Sequence, residues 1–70
     1  MQRIPVVSSN LQSVGYDPTA QLLEVEFRDG SVYQYTHVPE AIYRALMAAG
    51  SHGQYFHAHI KGAYPTTRIR

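Results

Sequence analysis

The chain contains no cysteine and no tryptophan. Without cysteine there is neither a disulfide framework nor a thiolate metal site, and the absence fits a cytoplasmic location. Long hydrophobic runs are missing as well. No stretch approaches the roughly 20 apolar residues that span a bilayer, so the sequence predicts no membrane partner. The opening MQRIPVVSSN is too poor in apolar residues for a signal-peptide core. Acids are absent from residues 41–70, where Arg44, Lys61, Arg68 and Arg70 sum to +4. Residues 1–40 set Arg3 and Arg28 against Asp17, Glu24, Glu26, Asp29 and Glu40, which sums to −3. A basic half attracts phosphate or an acidic protein surface.

What is present fits one domain over residues 1–70, without repeats or linkers. A chain of this size buries only about 60% of its unfolded surface, and marginal domains of this kind often add a partner subunit. Ile4-Pro5-Val6-Val7 reads as a short edge strand, since Pro5 fits only where no partner needs its missing N–H. The first full strand runs from Leu11 to Tyr16, with Leu11 out of phase with Val14 and Tyr16, which predicts a bulge or a late start. Asp17-Pro18 is a turn. Leu23, Val25 and Phe27 then alternate with Glu24, Glu26 and Arg28, a strand with one dry and one wet face.

The return strand, Ser31–Thr36, has two registers. A two-residue Asp29-Gly30 loop would turn Tyr33 and Tyr35 toward water beside the glutamates. A three-residue loop, with Gly30 left-handed, pairs Phe27 with Ser31, Val25 with Tyr33 and Leu23 with Tyr35. The second register is favoured because each ring brings roughly 150–250 Å² to bury.

Val38-Pro39-Glu40 opens a helix, with Pro39 at its first position and Ile42, Ala45, Leu46 and Ala49 facing the sheet. Gly50 suits the left-handed residue that ends it. Ser51 and Gln54 form a capping-box pattern for a second helix, in which Phe56 and Ile60 are the buried pair. Past Gly62 the sequence loses periodicity, so Tyr64 is expected to fold back on the core and residues 65–70 to fray as a basic tail. The expected fold is thus α+β, a three-stranded antiparallel β-meander with two short α-helices packed on one face of the sheet. Its core motif is Phe27, Tyr33, Tyr35, Leu46, Phe56 and Ile60.

Ser8-Ser9, Val14-Gly15-Tyr16-Asp17, Leu23-Glu24-Val25-Glu26-Phe27, Gly30, Tyr33-Gln34-Tyr35 and Val38-Pro39 stand here in order. With Ser51, Gly53, Tyr55-Phe56 and Ile60-Lys61, they make the chain resemble the KTSC domain over residues 7–64. Domains of that family occur as small bacterial and phage proteins and at the C-terminus of some lysyl-tRNA synthetases. The resemblance implies an RNA-binding role by association and supplies no catalytic residues. His57 stands where a small polar residue such as Asn is expected.

The residues argue against an enzyme. There is no cysteine nucleophile and no Gly-x-Ser-x-Gly elbow, and Glu24 and Glu26 sit on a wet face where pKa values shift little. No cofactor, small-molecule substrate or metal is expected. His57 and His59 are two apart and would diverge by about 200° on a helix, and His52 and His59, seven apart, can align but have no third ligand. Two binding roles remain. The first is a protein-interaction or homodimerisation domain, using the Leu22/Val32 face or the edge of a strand at 11–16 or 31–36. The second is RNA binding through Arg44, Lys61, Arg68 and Arg70, with Tyr55 or Tyr64 for stacking, which holds if the cations are co-facial.

Overall fold

The computed structural model describes all of residues 1–70. The chain runs β1 (Ile4–Pro5), β2 (Leu11–Asp17), β3 (Leu22–Phe27), β4 (Val32–Tyr35), α1 (Glu40–Ala48), α2 (His52–His59) and β5 (Thr66–Arg68). The strands form one antiparallel sheet in sequence order, β1 to β5. The α+β class and the two helices agree with the sequence reading, but the sheet has five strands rather than three.

The central hairpin closes through three residues. Val25 pairs with Tyr33 and Leu23 with Tyr35, and Phe27 N donates to Ser31 O at 2.9 Å. Gly30 takes φ +90°, where a side chain would be strained. The β2–β3 register slips between Leu11 and Ser13. This bulge returns Leu11 to the same face as Val14.

That face carries the core. Leu11, Val14, Leu23, Val25 and Tyr35 of the sheet meet Val38, Leu46 of α1, and Phe56 and Ile60 at α2, all buried. Each such side chain contributes about 1.5–3 kcal/mol by leaving water. Phe27, Tyr33 and Tyr64 are half-buried against this cluster.

Two local expectations need correction. Pro39 is the extended residue before α1 (φ −64°, ψ 149°) rather than its first helical residue. Gly50 is not left-handed, because the chain leaves α1 through an extended Ala49 straight into the Ser51 cap. The His52 ring donates from Nδ1 to Leu46 O at 2.8 Å and so covers a carbonyl at the end of α1. Ser51 Oγ does cap α2, accepting from Gln54 N.

The tail does not fray. Tyr33, Gln34 and Tyr35 pair with Arg68, Thr67 and Thr66. Val32 also exchanges backbone bonds with the end of the chain, donating to Arg70 O at 3.0 Å and accepting from Ile69 N at 2.8 Å. A three-residue strand exposed on both sides has no hydrophobic alternation to betray it. Its partner's unpaired backbone specifies it.

The second face of the sheet is not wet either. Residues 1–3 cross it at Gly15, where an added Cβ would lie 2.8 Å from Gln2 O. Arg3 pairs with Glu24, and Glu24 is buried at 6% exposure. Gln34 Nε2 donates to Glu24 Oε1 at 2.9 Å, and Ser13 Oγ donates to Glu26 Oε1 at 2.8 Å. Arg70 Nη2 reaches Glu26 Oε2 at 2.8 Å. Burial opposes ionisation of Glu24, but the Gln34 and Arg3 hydrogen bonds and the Arg3 charge outweigh it and hold its carboxyl below the usual range.

The surfaces expected for a protein partner do not lie where the sequence placed them. β1 covers β2 and β5 covers β4, so neither strand is an edge. Val32 is 1% exposed and Leu22 is half-buried, so they form no apolar patch.

Candidate functional site

A cleft of about 500 Å³ opens between the β3–β4 hairpin and α2. The pairing that puts Phe27, Tyr33 and Tyr35 on the helix face also makes them its floor. Phe56 and His57 of α2, with Lys61 just beyond, form one wall. The hairpin turn supplies Arg28, Asp29 and Ser31, and Asn10 and Thr66 complete the rim.

The floor is a connected aromatic cluster. Phe27 meets Tyr33 and Phe56 edge-on, with centroids 5.6 and 5.4 Å apart, and Phe56 meets Tyr35 at 5.5 Å. Edge-to-face contacts of this kind fix ring orientation as well as contributing energy. Tyr35 is buried, and burial with the neighbouring Tyr33 pushes its pKa up to about 12. Tyr33 is half-exposed, and the Arg68 guanidinium lies over its ring at 5.8 Å.

The rim is charged in a particular way. Of the six Lys and Arg side chains, three are in ion pairs: Arg3 with Glu24 and Glu26, Arg44 with Glu40, and Arg70 with Glu26. The three without a side-chain carboxylate in ion-pair range are Arg28, Lys61 and Arg68, of which Arg68 donates from Nε to Arg70 O at 3.1 Å. Two of them line the cleft and the third covers its Tyr33 ring. Arg28 is also anchored, donating from Nε to Ser8 O at 2.6 Å and from Nη1 to Gln12 Oε1 at 3.2 Å. Ser8 holds its own loop, its Oγ accepting from the backbone N–H of Asn10 and Leu11.

Asp29 is the one acid on the rim. Hydrogen bonds from the Ser31 hydroxyl and backbone N–H, aided by the Arg68 charge, hold its carboxyl below the usual range. A carboxylate so stabilised is a weak base for the Ser31 hydroxyl that donates to it at 2.6 Å.

Of the residues named from sequence, Lys61 and Arg68 come together here, while Arg44 and Arg70 are engaged elsewhere with acids. Tyr55 stacks on His59 at 4.4 Å, and Tyr64 packs on the core. Neither lines the cleft. His52, His57 and His59 do not gather with one another or with acids as metal ligands. Sequence reasoning missed Arg28, Asp29, Asn10 and His57. The hairpin register contained a signal for the first two, since it sets the turn at the open end of the aromatic floor.

Comparison with known families matches residues 7–64 to the KTSC domain. The chain belongs to the KTSC domain family. The KTSC domain protein of Yersinia pestis, known from a crystal structure, superposes with a TM-score of 0.95 at 44% identity, covering 99% of this chain and 97% of that one. An uncharacterised protein of Stutzerimonas stutzeri is 48% identical over 56 residues, 80% of this chain and 79% of that protein. A lysine–tRNA ligase of Nostoc is 45% identical over 56 residues, but the KTSC match covers only 10% of that enzyme's length. The family match specifies a domain and names no catalytic activity. No helix of this KTSC protein is long and apolar enough to cross a membrane.

Proposed function

We propose that this KTSC protein is a non-enzymatic binding module that takes single-stranded RNA in the hairpin–α2 cleft. Phosphates lie against Arg28, Lys61 and Arg68, and a base lies against Tyr33. One observation carries the reading: the three cations left without an acid come from three separate parts of the chain and converge on one aromatic cleft. Unpaired cations around a partly exposed ring such as Tyr33 suit a single strand, whose charge binds cations and whose bases stack on aromatic faces. The lysine–tRNA ligases that carry a matching segment act on tRNA, which supports an RNA ligand over other polyanions. A protein partner or second copy has less support, because the two surfaces named for it are covered.

The test is fluorescence anisotropy of a labelled ten-nucleotide RNA across a salt series. Three phosphate contacts give a slope of log affinity against log salt of about −2, so affinity falls roughly 20-fold between about 50 and 200 mM salt. Lys61→Ala and Arg68→Ala each make the slope shallower by about 0.7. Tyr33→Ala weakens binding by about 1–3 kcal/mol at every salt concentration. No anisotropy change at low salt with micromolar protein overturns the reading.

A further inference from the structure

Asp29 is out of place in a site for a polyanion. It is the only acid lining the cleft, and its charge repels the phosphates that its neighbours attract. The turn explains part of its presence. Asp29 Oδ1 accepts from Ser31 N at 2.9 Å and from Ser31 Oγ at 2.6 Å, which closes the bend before β4. That task occupies Oδ1 alone, and asparagine performs it equally well in turns. The charge also faces Arg68, but the second oxygen, Oδ2, lies outside the hydrogen bonds of the turn. Oδ2 accepts no hydrogen bond from the protein, while Oδ1 fixes the direction in which it points. A fixed, ionised acceptor among three cations suits a ligand that offers a neutral donor close to its phosphates.

We infer that Asp29 selects ribose over deoxyribose, its Oδ2 accepting the 2′-hydroxyl proton of a nucleotide whose phosphates are held by Arg28, Lys61 and Arg68. The inference rests on the RNA reading of the cleft and sharpens it. The 2′-hydroxyl is the donor that RNA has and DNA lacks. A hydrogen bond to a charged group outweighs a neutral one, so the preference is about tenfold or more.

The test compares three labelled ten-mers of uridine, 2′-deoxyuridine and 2′-O-methyluridine with the wild-type protein and Asp29→Asn at one salt concentration. Asn retains the Oδ1 contacts to Ser31, so the variant keeps its turn, which an unchanged melting temperature verifies. The expected result is wild-type preference for the uridine strand over both others by about tenfold, collapsing to near parity in Asp29→Asn. The deoxyuridine strand binds more tightly to the variant because a repulsive charge has gone. If Asp29 serves the turn only, the substitution tightens all three strands by the same factor and leaves their ratios unchanged, which overturns the inference while the RNA reading stands. Failure of the wild-type protein to bind any strand overturns both together. A wild-type protein that binds RNA and DNA equally overturns the inference alone.

Discussion

Tyr35 shows how one side chain can serve the scaffold and the cleft at once. Its ring is 4% exposed and packs edge-on against Phe56, so Tyr35→Ala removes a core aromatic and lowers stability by about 3–5 kcal/mol in urea unfolding. The same residue lines the cleft. The raised pKa sets a direction with pH: native Tyr35 stays protonated to about 12, whereas the unfolded residue ionises near 10. Stability from this group is therefore complete below about pH 10 and is lost as pH rises from there through its native pKa. In Tyr35→Phe the alkaline decline becomes shallower, which urea midpoints between about pH 8 and 11 measure. Identical alkaline limbs would show that Tyr35 does not titrate as its burial requires. The inward position of Tyr35 was legible in the sequence, because only a three-residue loop puts Leu23, Val25, Tyr33 and Tyr35 on one face. The half-exposure of Tyr33 was not, because α2 carries no sequence mark of where its cover over β4 stops.

Elements differ in how far they declare themselves. β3 alternates and α2 carries the Ser51 cap, so each could be placed from its own residues. β5 has three exposed residues and exists only because β4 offers it a backbone ladder. Such a strand is specified by its neighbour and has no local signature. Its removal tests what it does. Truncation after Pro65 leaves the backbone groups of Val32 without Arg70 and Ile69 and uncovers β4. Loss of buried hydrogen-bond partners costs about 1–3 kcal/mol each, and each kcal/mol lowers Tm by about 4–8 °C in a domain of this size. The uncovered strand is also a template for pairing, so sedimentation detects self-association in the truncated chain. A monomer with an unchanged Tm would mean that β5 is ornamental. The same truncation removes Arg68, and with it the cation above Tyr33.

At the scale of the molecule, the charge split in the sequence is undone by folding. The acidic first half and the basic second half exchange partners. Arg70 crosses to Glu26 and Arg44 pairs with Glu40, and the surplus positive charge is left around the cleft. Composition showed the surplus but could not locate it, since which cations remain unpaired depends on contacts as distant in sequence as Glu26 and Arg70. Glu24 gives the pH dependence. Its carboxyl lies below the usual range, so its contribution is present above the ordinary carboxylate pKa and is lost as pH falls through its native value. Arg3→Gln withdraws a partner and raises that native value toward the ordinary one, so the acid loss of stability is smaller and is complete at a higher pH than in the wild type. Urea midpoints between neutral pH and about pH 3 read the displacement. Superimposable acid limbs would show that Arg3 does not set the ionisation of Glu24. The strap of residues 1–3 over Gly15 also has a practical side. It puts the amino end behind the sheet, while the cleft opens in front of it. A sensor chip coupled through that end would hold the molecule with its mouth toward the flowing analyte.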